Sequence, residues 1–433
     1  MTTITKEGEQ LLTRVSWRLI PFMLLLYIVS YLDRINVSFA ALQMNEELGI
    51  SHEAFGFGAG IFFFGYCIFG IPSNLVIERF GARRWIASIM IIWGLITVAI
   101  CLVRDQSQFF ILRFFLGVAE AGFFPGMIYY LTFWFPPKYY AIAVARFMVA
   151  IPVAGIIGSA VSAKALALHG AMGISGWMWL FVVTGVPAVL LGIVVLFLLP
   201  DRPHQAKWLS ESEAEMLTQM TGADRKNNSD KADKADKAES AFSIFLASLK
   251  QFVVWRQALL YFSLTVSMYG FQLWLPQIIK SFDHVDDSTT ALLSAIPALF
   301  QALGMIIIAG NSDRISERKF HVAAAAILTC LGLALAAFGA GSILKMAGLC
   351  LAAFGIWGSV GPFWALTTDS VRVEHHSSGI AFINSVGNLG GFAGPYIVGA
   401  ITQLSGGGDF AGALMALCIA SVLACGLAVT SRT

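Results

Sequence analysis

Four ionisable residues lie inside two apolar runs of the chain. Asp33 and Arg34 are adjacent in YIVSYLDRINVSFA (residues 27–40), and Arg113 and Glu120 stand seven residues apart in RFFLGVAEAGFFPG. Seven residues is close to two helical turns, so Arg113 and Glu120 leave one helix face about 10 Å apart along the axis. Asp33 and Arg34 point about 100° apart, with Tyr31 one turn before Arg34 and Asn36 one turn after Asp33. Ionised groups in membrane-length helices are costly and persist where they face a polar cavity or a partner. The four charges sum to zero. If both helices line one cavity, each carboxylate can pair with the arginine of the other helix. Such a quartet can load a proton and an anion together: a carboxylate that takes a proton releases its arginine, which then holds an anion by a bidentate, charge-assisted contact. The alternative, Asp33 and Arg34 snorkelling into water from a helix end, loses ground once opposite charges occur at 113 and 120.

The elements that must position these residues are membrane helices. The chain has 433 residues, 57% of them hydrophobic and 12% charged, with a mean hydropathy of +0.75, far too apolar for a soluble protein. Repeated apolar stretches of about 20 residues match what a helix needs to cross a bilayer and exclude a barrel of short alternating strands. Twelve spans are expected, at roughly 18–41, 53–77, 85–103, 108–135, 141–166, 177–199, 255–279, 289–309, 321–340, 346–370, 377–401 and 411–430. The polar N-terminus carries no cleavage site after a short apolar core, so the first span is retained. Between spans six and seven the polar segment 200–250 includes KADKADKAES and reads as a cytoplasmic linker, disordered in its middle. It separates an N-terminal six-helix bundle, 1–199, from a C-terminal one, 251–433. Most of the 28 lysines and arginines fall in the loops that are cytoplasmic if both termini are inside.

An internal repeat supports the division. The loop after span two reads Glu78-Arg79-Phe80-Gly81-Ala82-Arg83-Arg84, and the loop after span eight reads Asp313-Arg314-Ile315-Ser316-Glu317-Arg318-Lys319. Acid, arginine and a later basic pair recur at the same spacing in equivalent loops, and Pro125 in span four is answered by Pro362 in span ten. On these loops the chain resembles the major facilitator superfamily, although Asn74 stands where that signature has its first glycine and Ser316 replaces Gly81 in the second copy. The resemblance implies two bundles that rock around a central site. It also implies that Glu78, Arg79, Arg83, Asp313, Arg314 and Arg318 form gating latches on the cytoplasmic face.

Within that superfamily the Tyr31-Leu32-Asp33-Arg34 string, the Arg113–Glu120 spacing and Tyr66 in FFFGYCIFGIPSN are similar to motifs of the anion:cation symporter family, which includes sugar-acid, tartrate and hydroxyphenylacetate carriers. The resemblance implies that Arg34 holds a substrate carboxylate, that Tyr31 and Tyr66 hydrogen-bond it, and that Asp33 and Glu120 carry protons with Arg113 as ionic partner. Asn384, or Asn388 one turn on, looks like the family's polar contact from the second half. GWMWLFVVTGVPAVLLG followed by LPDRPHQAKWLSESE is similar to the tartrate, rhamnonate and hydroxyphenylacetate branch. Ile151 falls where galactonate-type carriers place a glutamine. Arg146 either snorkels to the cytoplasm or adds a second cationic contact. Trp364 and Gln272 are further candidate substrate contacts, with Phe363 and Tyr269 beside them.

The expected function is therefore proton-coupled uptake of a small organic carboxylate, such as tartrate or a sugar acid, by a monomer in the bacterial inner membrane. An aromatic acid is the second choice of substrate, and an anion exchanger or a transporter-like sensor are the rivals in mechanism. No phosphate-binding glycine loop, metal-ligand cluster or placed nucleophile suggests an enzyme, a metal or a cofactor, and no basic patch suggests nucleic acid. The six cysteines all lie in apolar segments without paired spacing. Nine prolines lie within spans and should bend them. Gly387, Gly390, Gly391 and Gly394 have the spacing of close helix contacts.

Overall fold

In a computed structural model the described residues are 6–222, 249, 251–282, 285–371 and 376–431. The middle of the linker, where disorder is expected, and the side chains of Glu78 and Arg79 lie outside them. Span one is Lys6–Glu47, two His52–Phe80, three Ala82–Ile100, and four the pair Gln106–Glu120 and Phe123–Leu131. Span five is Pro137–Met148 with Ala150–Ala167, six Gly176–Leu198, seven Phe252–Lys280, and eight Asp287–Leu293 with Ala295–Ile315. Span nine is Lys319–Phe338, ten Ser342–Gly358 with Val360–Ser370, eleven His376–Leu404 and twelve Ala411–Val429. Eleven of these are long and apolar enough to cross a membrane. Span eleven has the length, but Asn384, Asn388 and its glycines dilute its apolar character.

The broken spans follow from proline chemistry. Spans five, eight and ten are interrupted at Val149, Ser294 and Ser359, each three residues before Pro152, Pro297 or Pro362, and span four is interrupted at Ala121 and Gly122 ahead of Pro125. A proline ring collides with the preceding turn and supplies no N–H, which frees carbonyls there. Pro21, Pro187, Pro276 and Pro395 sit inside helices that stay continuous. Span one begins well before the expected residue 18, because Leu11, Leu12, Val15 and Leu19 form a buried stripe at helical spacing. Linker residues 211–221 form a helix capped by the reciprocal Ser210 and Glu213 bonds, with Glu213 reached by Arg14 of span one.

Small residues set the helix contacts. A Cβ at Gly117 would lie 1.9 Å from Phe62 O of span two, and one at Gly94 would lie 2.8 Å from Gly185 O of span six. In span eleven, Gly390 and Gly394 face span seven, where a Cβ would meet Thr265 Oγ1 at 2.2 Å and Val266 O at 2.3 Å. Gly391 faces the other half, with Phe63 of span two 2.6 Å from the same construction. These glycines let helices approach too closely for any side chain.

The two halves meet along spans one, two and five on one side and seven, eight and eleven on the other. Polar contacts across this seam gather at the end where span one finishes, here called the distal end. Gln43 Nε2 donates to Asp287 Oδ2 (3.0 Å), Lys280 Nζ to Leu42 O (3.2 Å), His52 N to Gln403 Oε1 (3.2 Å) and Tyr396 OH to Glu53 Oε1 (3.1 Å). Asp287 also pairs with Lys280 at 2.5 Å. Towards the proximal end, where Lys6 and Ser431 lie, Cys67 Sγ reaches Ser385 O across the seam at 3.5 Å.

Candidate functional site

Spans one and four do place their charges together, but not as reciprocal pairs. Arg34 Nη2 donates to Glu120 Oε2 at 3.0 Å; the Glu120 side chain is fully buried and the Arg34 side chain 14% exposed. Among the described residues this is the one carboxylate–guanidinium pair so deeply enclosed. Among the described residues Asp33 forms no ion pair with an arginine. Thr97 Oγ1 of span three donates to its Oδ2 at 2.6 Å and Asn36 Nδ2 to its Oδ1 at 2.9 Å, while Asn36 also donates to Thr184 Oγ1 of span six at 2.8 Å. Arg113 turns to the backbone of span two instead, donating to Gly58 O (3.4 Å) and Ala59 O (3.3 Å).

Phe62 packs against both cations, its ring 5.4 Å from the Arg34 guanidinium and 4.9 Å from that of Arg113. Cations over aromatic faces gain about 0.5–1 kcal/mol at exposed sites and about 2 kcal/mol when desolvated. Asp33, already holding two donors, is satisfied without a cation. The expected ionic pairing of Arg113 with Asp33 is thus corrected for this conformation: no ion pair joins them among the described residues.

Tyr31 and Tyr66 both flank Arg34. The Tyr66 ring is 5.1 Å from the Arg34 guanidinium, and Tyr31 OH donates across the seam to Gln272 Oε1 at 3.0 Å. Tyr31 also meets Trp357 of span ten edge-on at 6.3 Å, and Phe63 packs on Tyr269 at 4.1 Å. Four polar atoms here lack a hydrogen-bond partner among the described residues: Arg34 Nε, Asn36 Oδ1, Arg113 Nη1 and Glu120 Oε1. Arg34 therefore holds its carboxylate with one edge and keeps a donor for something else.

Of the second-half candidates, Gln272 thus reaches Tyr31. Trp364 lies against Tyr261 (5.0 Å) and Phe363 (5.1 Å), and the Tyr261 ring in turn covers Gly387 of span eleven. Asn384 is exposed and Asn388 half-buried on that same helix. Arg146 is exposed and donates to Ser16 Oγ of span one (2.9 Å), so it ties the proximal ends of spans one and five together. The loop charges close within each half: Arg83 holds Asp201 (3.4 Å), Arg318 holds Asp313 (2.5 Å), and Arg314 is exposed. Beside them Glu317 caps span nine. Partial burial draws its carboxyl upward, but N–H donors of Phe320 and His321 and the His321 ring outweigh this and hold it below its ordinary 4.5.

Thr97, Thr184 and Phe62 carry little signal in the sequence. A lone threonine or phenylalanine in an apolar run reads as packing.

Residues 23–395 match the family profile of the Major Facilitator Superfamily. This chain belongs to that superfamily. The major facilitator fold is borne out by solved structures: a bacterial homologue of the human lysosomal transporter Spinster superimposes with a TM-score of 0.77 over 97% of each chain at 16% identity. Among relatives, a protein of Agrobacterium vitis named "Putative tartrate transporter" is 41% identical over 95% of this chain and 89% of its own length. An Acinetobacter baumannii protein named "Quinolone resistance transporter" is 38% identical over 92% of this chain and 90% of its own length. The major facilitator chain is accordingly a multi-pass membrane transporter and not an enzyme.

Proposed function

We propose that this transporter carries a small hydroxylated carboxylate together with a proton into the cell across the inner membrane, with both termini cytoplasmic and as a monomer in the lipid bilayer. The observation that carries this reading is the buried Arg34–Glu120 pair, whose arginine keeps a buried, unpartnered Nε. A proton placed on Glu120 replaces Arg34 as its partner and frees the guanidinium for the substrate carboxylate, so anion and proton load together. Asp33 is the second proton site, held by neutral donors, and Arg113 supplies a fixed positive field beside Phe62. With the termini inside, the distal clamp closes the outer face. Asn384, Asn388 and Trp364 would then approach the substrate only as the halves close at the proximal end, where the Glu78, Arg79, Arg83, Asp313, Arg314 and Arg318 loops latch. The domain limits 1–199, 200–250 and 251–433 belong to the same proposal. The name of the Agrobacterium relative supports the substrate class.

In proteoliposomes the wild-type protein should accumulate tartrate or a sugar acid when an inward proton gradient is imposed. Glu120→Gln should retain exchange of labelled for unlabelled substrate while losing that accumulation. Full pH-driven accumulation by Glu120→Gln would reject the coupling role. A second reading, an aromatic acid, is favoured by the Phe62 and Tyr66 rings around Arg34. Benzoate and hydroxyphenylacetate in the same assay decide between the two.

A further inference from the structure

Beyond the Tyr31–Gln272 bond, towards the distal end, spans one, five, seven, eight and ten enclose a cleft. Its polar lining is Ser38, Ser159, Gln272, Ser294 and Gln301, and no charged side chain reaches it. Gln301 is only 5% exposed, and its Nε2 has no hydrogen-bond partner among the described residues. A buried amide donor left unmade is costly, so at a cleft wall it marks a place for a ligand acceptor. The serines offer the complement. Ser38 Oγ donates to Ile35 O (2.7 Å), Ser159 Oγ to Gly155 O (3.0 Å) and Ser294 Oγ to Thr290 O (2.9 Å), which leaves each oxygen able to accept. Gln272 accepts from Tyr31 through Oε1, leaving its amide nitrogen to donate.

A neutral wall that both donates and accepts matches hydroxyl groups, which do both. The distance is right as well. Ser38 stands one turn after Arg34, about 6 Å further along the helix, within reach of a carboxylic acid with a four- to six-carbon chain. Gly155 keeps the wall open: a Cβ there would lie 3.2 Å from Ala298 Cβ and 4.0 Å from Gln301 Oε1.

We infer that Gln301 determines specificity: with Ser38, Ser159 and Gln272 it reads the hydroxyl groups on the tail of a substrate whose carboxylate lies on Arg34. This rests on the carboxylate reading of Arg34 given above. The test measures binding of gluconate, tartrate and succinate to the purified full-length protein, by thermal shift and by competition. Gln301→Leu should weaken gluconate and tartrate about tenfold and leave succinate, which has no hydroxyl, unchanged. Gln301→Asn, which retains an amide, should recover part of the loss. The ratio of hydroxylated to unhydroxylated affinity is insensitive to a general loss of stability, so a merely structural role would weaken all three ligands alike. That outcome, or unchanged gluconate and tartrate binding in Gln301→Leu, overturns the assignment and leaves the Arg34 reading standing. Failure of the wild-type protein to bind any of the three overturns both.

Discussion

At positions 33 and 120 two buried carboxylates are satisfied by different means. Glu120 has a guanidinium at 3.0 Å, whereas Asp33 has a hydroxyl and an amide. An ion pair can be exchanged for another anion, so Glu120 competes directly with a substrate for Arg34, while Asp33 does not. The hydroxyl that holds Asp33 is therefore structural in the first instance. Thr97→Val removes the 2.6 Å donor and leaves a buried oxygen short of a partner, which should cost about 1–3 kcal/mol. Thermal unfolding in detergent should show a lowered midpoint for Thr97→Val and a near-native one for Thr97→Ser, which retains the hydroxyl. Equal midpoints for the two variants would mean that Asp33 does not depend on this bond.

Among the elements, the equivalent loops of the two halves solve one turn in two ways. The first turns on Gly81 at φ 83°, the second on Ser316 at φ 52°, a left-handed conformation that costs a non-glycine residue about 1–2 kcal/mol. Ser316→Gly should relieve part of this strain, offset by the greater freedom glycine has in the unfolded chain. The thermal midpoint is expected to rise slightly, while Gly81→Ala lowers it. A fall for Ser316→Gly would show that the serine side chain contributes more than its backbone costs. The span breaks ahead of Pro125 and Pro362 are a second shared feature, and they leave spans four and ten each with a joint near the middle of the molecule.

For the whole molecule, the polar bonds described between the halves gather at the distal end. Asp287 is its hub, since it holds both Lys280 of its own half and Gln43 of the other. Exposed pairs contribute up to about 1 kcal/mol, so Asp287→Asn should shift the balance between the two conformations roughly fivefold. Labelling of a cysteine placed at the distal seam should become faster in that variant, and labelling at the proximal seam slower. Unchanged labelling at both ends would mean that apolar contacts, such as Gly56 against Pro395 and Gly60 against Phe392, hold the distal end closed by themselves.

The membrane class, the spans and the two-half repeat were legible in the sequence, because hydropathy and helical period are local properties that lipid makes almost obligatory. So were Asp33, Arg34, Arg113 and Glu120, since an ionised residue in an apolar span stands out without any knowledge of its neighbours. Their pairing was not. Which carboxylate takes which arginine depends on three-dimensional competition: Phe62 packs on both Arg34 and Arg113, Thr97 and Asn36 hold Asp33, and none of these carries a charge that marks it in a linear reading. Gln301 was hidden for the same reason, being one amide in an apolar run until the fold set it opposite Gly155 and beside Ser38. Composition decided that charges are buried in this chain; only packing decided which of them remain free to bind.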